Sequence, residues 1–172
     1  MDAPPLRLAT ADDVDELVRL RRVMMGALEV CDEPTWALAC ADFLRRTLAD
    51  GSAAAVVAGD PGAVPSGSAA ADRHRPEPLV ACGIGVIVER VPGPETPTGR
   101  YGYVCSMVTE PDWRGRGLAT GVVEGLLAWF ADRGVRKVDL HASDEGEPIY
   151  RRFGFREGRF PELRWRAPAS GL

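Results

Sequence analysis

The residues best equipped for chemistry form the run Arg114-Gly115-Arg116-Gly117-Leu118-Ala119-Thr120. Two guanidinium groups and two glycines stand there after an apolar stretch, Tyr103-Val104-Cys105-Ser106-Met107-Val108. Behind them Leu118, Val122, Val123, Leu126, Leu127 and Phe130 recur at helical spacing. A strand that enters a glycine-rich turn and leaves as a helix aims several backbone N–H groups at one point, and the helix dipole adds positive field. That is chemistry for holding phosphate. Tyr150 supplies a second reactive group, a phenol with an ordinary pKa of about 10 that stays protonated at neutral pH and can donate a proton. Carboxylates suited to accepting one stand near predicted strand ends, Glu89 and Glu110, and in a predicted interhelical turn, Asp32 and Glu33. Trp36 follows that turn, and an aromatic face beside carboxylates attracts ammonium groups.

These groups need elements to place them. Leu6-Arg7-Leu8 alternates as a short strand. Thr10 and Asp13 form a capping-box pair ahead of a run with Val14, Leu17, Val18, Met24, Met25 and Leu28 at helical spacing. A break at Cys31–Pro34 separates this helix from one over Thr35–Leu48. Strands are predicted at Ala53–Ala58, Leu79–Glu89, Tyr101–Thr109 and Val135–His141, with final strands near Phe155 and Leu163-Arg164-Trp165. Helices are predicted at Gly115–Asp132 and Glu145–Phe153, the latter ending at Gly154 in the position that favours left-handed backbone. Residues 59–78, rich in Gly, Pro, Ala and Ser, read as a surface loop outside the core. The order β-α-α-β-β-β-α-β-α-β fits one mixed α/β domain over residues 1–172, with an antiparallel front half and one crossover.

Taken alone, residues 114–120 fit three readings: a plain helix-starting turn, a dinucleotide fingerprint, or a clamp for the diphosphate of coenzyme A. The fingerprint lacks its third glycine, and too little chain follows Asp139 to finish a doubly wound sheet. A P-loop is excluded because no Gly-Lys-Ser/Thr follows. The phrase Arg114-x-x-Gly117-x-Ala119 resembles the R/Q-x-x-G-x-G/A signature of GCN5-related N-acetyltransferases (GNAT). A second segment, Ser143 to Phe155 with Tyr150 and Gly154-Phe155, resembles that family's N-x-x-A-x-x-x-Y-x-x-x-G-F phrase. Ser143 stands where the family usually has asparagine, and Glu147-Pro148 replaces part of an alanine-rich turn.

The resemblance implies a central mixed, mostly antiparallel sheet flanked by helices, with acetyl-CoA as co-substrate and an amine as acceptor. It implies that the amides of residues 114–120, helped by Arg114 and Arg116, take the diphosphate, with Ser143 near the cofactor. The pantetheine arm would enter between strands carrying Val108 and Val138, along the backbone of Met107 and Val108. The Val108 amide is then the oxyanion donor and Tyr150 the general acid, with Glu110 a candidate base. Asp32, Glu33 and Trp36 would border the acceptor. A non-catalytic acyl-CoA-binding module on the same fold is the alternative, and a nicotinamide-dependent fragment a weaker one.

Composition bounds these readings. The 172 residues are 45% hydrophobic and 27% charged, ordinary for a globular domain. Net charge of −4 argues against a nucleic-acid-binding surface. No apolar run approaches a membrane span and no leader pattern opens the chain, so the expected location is cytoplasmic. Cys31, Cys40, Cys82 and Cys105 lack metal-ligand spacing, and His74 and His141 stand apart, so no metal is expected. The acceptor, a small molecule or a peptide amine, is left unnamed, and the oligomer is a monomer or homodimer.

Overall fold

The computed structural model describes residues 3–27, 35–62, 77–159 and 161–167. The chain opens with β1 (Leu6–Leu8) and a 3₁₀ turn at Ala11–Asp13 in which the Thr10–Asp13 capping box forms. Helices α1 (Val14–Ala27) and α2 (Thr35–Asp50) follow, then strands β2 (Ala53–Gly59), β3 (Leu79–Glu89) and β4 (Arg100–Thr109). Helix α3 (Leu118–Asp132), strand β5 (Val138–Leu140) and helix α4 (Glu147–Arg152) complete the order. The five strands lie in sequence order across one sheet, antiparallel from β1 to β4 and parallel between β4 and β5. The parallel pair requires a crossover, and α3 provides it.

Apolar periodicity explains the layers. Val14, Leu17, Leu20 and Leu44 from α1 and α2 close over Ala55, Val57, Cys82, Ile84 and Val108 on one face of the sheet. Val122, Leu126, Trp129 and Phe130 from α3 close over Ala54, Val56 and Val104 on the other. Every residue of β2 is buried, as expected of a strand covered on both faces. Asp13 is a buried carboxylate in this core and takes both guanidinium nitrogens of Arg7, at 2.7 and 2.8 Å, plus the Thr10 amide at 2.7 Å. Burial alone would raise its pKa, but these donors outweigh that and hold it below the usual carboxylate range.

Several boundaries differ from expectation. Helix α3 begins at Leu118 rather than Gly115, because Gly115 and Gly117 take left-handed φ values of 74° and 81° and hold the chain in a turn. Strand β5 is limited to Val138–Leu140 rather than Val135–His141. Val135 is instead drawn back onto α3, its N–H donating to the Phe130 carbonyl at 3.0 Å. The final strands do not form: residues 154–159 and 161–167 are irregular, with Leu163 and Trp165 exposed. Leu28, Cys31, Asp32, Glu33, His74 and most of the expected 59–78 loop lie outside the described residues.

Candidate functional site

The site begins with an interruption in β4. Ile84 pairs with Cys105 and Cys82 with Val108, so two β4 residues oppose the single Gly83. This is a β-bulge, and Ser106 carries it with a left-handed φ of 52°, a conformation costly for a side-chain-bearing residue. Arg21 of α1 donates to the Ser106 hydroxyl and holds it there. Gly83 is required opposite: a Cβ at that position would overlap the Met107 sulfur and Val122. The bulge puts Met107 on the α3 side and Val108 on the α1 side.

Past Val104, β4 loses its neighbour. Pairing with β5 covers Gly102–Val104 against Val138–Leu140, so among the described residues Cys105 to Thr109 present a backbone edge without a strand beside it. The two strands therefore part ahead of Met107 and Val108, which lie on the open edge. Glu110 follows, half-buried, with its Oε1 at 2.6 Å from Arg19 Nη1. Arg19 also donates to the Leu79 carbonyl and to Glu16, so Glu110 belongs to a web that ties α1 to the ends of β3 and β4.

The glycine turn opens from that corner. Gly121 N–H makes the first i→i−4 bond of α3, to the Gly117 carbonyl at 3.0 Å, which leaves the amides of Leu118, Ala119 and Thr120 ahead of the helical ladder. Arg114, Gly115, Arg116 and Gly117 are exposed, and a Cβ at either glycine would meet nothing within 4 Å. The Leu118 side chain is buried against Ala58, Val80 and Ala81, which fixes the helix start. Among the described residues Arg114 and Arg116 bond only backbone carbonyls, those of Thr109 and Asp112, and Arg116 also stacks on Trp113 at 4.5 Å. An open turn, unspent amides and two cations fit a diphosphate.

On the far side of β5, a groove of about 1560 Å³ is lined by Tyr103, Val138, Leu140, His141, Tyr150 and Phe155 among others. The turn at residues 114–117 lies outside this groove, on open surface. Tyr150 is buried against Phe155 with ring centroids 5.9 Å apart, and its hydroxyl has no partner among the described residues. Burial pushes its phenol above the ordinary value. Ser143 serves the local turn: its hydroxyl accepts from Gly146 N–H and its carbonyl from Glu147 N–H at 2.9 Å. Pro148 sits in the first turn of α4, where its missing N–H costs nothing.

The acceptor side differs from expectation. Trp36 is covered by this chain's own cations, with Arg21 and Arg22 at 6.0 and 5.9 Å from its ring centroid. Asp32 and Glu33 lie outside the described residues. What sequence reasoning missed is a chain of contacts on the groove wall. Tyr103 Oη stands 2.7 Å from His141 Nδ1, and His141 Nε2 stands 2.6 Å from Glu162 Oε2. Among the described residues no group of three or more His, Cys, Asp or Glu could hold a metal, and no helix is long and apolar enough to cross a membrane.

The sequence profile of the Acetyltransferase (GNAT) family matches residues 36–155. Among solved structures, the chain is similar to a predicted acetyltransferase of Clostridium acetobutylicum determined with acetyl-CoA. That match has 24% identity, a TM-score of 0.77, and covers 93% of this chain and 95% of the other. It is similar to a GCN5-related N-acetyltransferase of Ralstonia eutropha JMP134, at 26% identity and TM-score 0.70, covering 97% and 99%. Glucosamine-6-phosphate N-acetyltransferase of Arabidopsis thaliana shares the fold at 16% identity and TM-score 0.66, covering 94% and 97%. Among curated proteins none matches.

Proposed function

The chain belongs to the acetyltransferase (GNAT) family, and from that premise we propose that it moves an acetyl group from acetyl-CoA to an amine by direct attack within a ternary complex. The observation that carries this reading is the conjunction at one corner: β4 parts from β5 after Val104, leaving Met107 and Val108 on an open edge, and the unspent amides of α3 begin nearby. Leu118, Ala119 and Thr120 amides hold the diphosphate, with Gly115 and Gly117 giving close approach and Arg114 and Arg116 adding charge. The backbone of Met107 and Val108 receives the pantetheine arm as an added strand. Ser143 shapes the turn into α4 rather than reaching for the ligand. When bound, acetyl-CoA supplies an electrophilic thioester carbonyl.

The protein's own groups do the rest. The Val108 amide donates to the developing oxyanion, an interaction whose loss costs about 2.7–4 kcal/mol of barrier in other enzymes. Tyr150, kept protonated by burial, gives its proton to the departing thiolate. Glu110 is better suited to anchoring the end of β4 through Arg19 than to accepting a proton. No acyl-cysteine step is needed, and burial opposes one, pushing the Cys82 thiol up to about 12 and raising that of Cys105 as well. Free Cys40, Cys82 and Cys105 fit a reducing cytoplasm. The acceptor is a small molecule or peptide amine, met by one domain acting as a monomer or homodimer.

Thiol release from acetyl-CoA tests this directly, run with putrescine, glucosamine 6-phosphate and an alanine-terminated peptide. Expected is turnover of at least one amine and a rise in melting temperature with acetyl-CoA. Thermal stabilisation without turnover of any amine, unchanged by Tyr150→Phe, would instead identify a binding module.

A further inference from the structure

The reaction needs a neutral amine, and Glu110, which follows β4, is tied to Arg19. Another proton acceptor lies on the groove wall, where β4 and β5 end their pairing. On this face, opposite α3, stand Tyr101 and Tyr103 of β4 with Lys137, Asp139 and His141 of the β5 segment, while Val138 and Leu140 turn to α3. Tyr103, His141 and Glu162 form a continuous hydrogen-bonded row there, and all three line the groove that Tyr150 also lines.

The proton positions follow from the partners. A carboxylate only accepts, so Glu162 fixes the hydrogen of neutral His141 on Nε2; Nδ1 is then an acceptor, and the Tyr103 hydroxyl donates to it. This leaves the lone pairs of Tyr103 Oη directed away from His141. We propose that Tyr103, backed by His141 and Glu162, is the proton-accepting group for the ammonium form of the acceptor, an inference that rests on the acetyl-transfer reading above.

The step balances. The ammonium N–H breaks and its proton joins Tyr103 Oη as the original Tyr103 proton passes to His141 Nδ1. The products are a neutral amine, a neutral phenol and an imidazolium whose charge faces the Glu162 carboxylate. His141 is about half exposed, so solvent then takes the proton. Tyr103 is the group offered to substrate; His141 and Glu162 are positioning residues that act through it.

The surrounding charges favour this assignment. Asp139 is neutralised by Arg90 at 3.2 Å, and Lys137 is turned to Glu95 at 3.1 Å, so neither competes for His141. Burial, Cys105 and Glu162 push the Tyr103 phenol up, opposed by Arg164 and Arg21, so phenolate is not the resting form and the imidazole is needed. Arg21 reaches the same face through Ser106, which places the row beside the bulge that adjoins Val108.

The test is the pH profile of kcat/KM with acetyl-CoA and the fastest of the three amines above. The native protein should lose kcat/KM toward acid pH, giving an acid limb. His141→Gln and Tyr103→Phe should each lower kcat/KM about 100-fold and abolish that limb. Added imidazole should restore part of the activity to His141→Ala but none to Tyr103→Phe. Glu162→Gln should lower kcat/KM by less than His141→Gln or Tyr103→Phe. The rise in melting temperature with acetyl-CoA should be the same in all of them, which separates a lost relay from a lost fold. His141→Gln with native rate and native acid limb would overturn the relay alone. A native protein that turns over no amine would overturn the acetyl-transfer reading and the relay with it.

Discussion

Two halves of the sheet follow opposite rules. In β2 and the first half of β3 the strands are flanked on both sides and helices cover both faces, so that Ala55, Val57, Ala58 and Ala81 are completely buried. From β4 to β5 the pairing lasts three residues, one face is polar, and the edge beyond Val104 is open. The first half stores stability in apolar contact. The second leaves backbone amides, phenols and an imidazole unspent or only locally paired. The proposed site sits where packing stops, because a group committed to the core has nothing left to offer a ligand.

Substitutions can break this contrast from either side. Phe130 fills the α3 side of the core and is 1% exposed, so Phe130→Ala should cost about 3–5 kcal/mol in urea denaturation and lower acetyl-CoA turnover only through unfolding. Tyr150→Phe should do the reverse, lowering kcat about 100-fold while the denaturation midpoint and acetyl-CoA affinity stay near native; unchanged turnover would remove Tyr150 as the acid.

Asp13 tests the paired half by pH. Its folded pKa is depressed, so its stabilisation is complete above the unfolded value of about 3.9 and is lost as pH falls through the folded value. Asp13→Asn should therefore lose about 1–3 kcal/mol at neutral pH and unfold with a shallower acid dependence, read from denaturation midpoints between pH 2 and 7. The smallest effect belongs to the turn. Gly117→Ala meets no steric obstacle but pays about 1–2 kcal/mol for left-handed backbone, which should weaken acetyl-CoA binding roughly 5- to 30-fold by calorimetry. Native affinity in that variant would mean that the turn is not the grip.

The same contrast explains what was legible in the sequence. Strand β3 appears over Leu79–Glu89 as expected, since its run of apolar residues serves both faces. The glycine turn before α3 and the helix α4 were legible as local structure: the glycines, the helix starts and the tyrosine each stand within a short stretch of chain. The Tyr103–His141 contact spans 38 residues and a parallel crossover, and Arg19–Glu110 spans 91, so no spacing rule exposes either. His141 alone reads as an isolated strand-end histidine until β4 is laid beside it. Leu163-Arg164-Trp165 shows the opposite error: alternation predicts a strand, yet a strand needs a neighbour to pair with, and this segment has none among the described residues.

The extra residue at Ser106 acts as a half-step in the phase of β4. Under strict alternation through Ser106, Met107 would address the α1 layer and Val108 the α3 layer; the bulge exchanges the two. Excising Ser106 would set Met107 opposite Gly83 and leave Val108 opposite Cys82, so both side chains would keep their layers and only the local bend would go. Ironing the bulge flat with every residue retained would instead turn everything downstream by half a repeat and deliver Val108 to the wrong compartment. The address of Val108 is thus written in a single count.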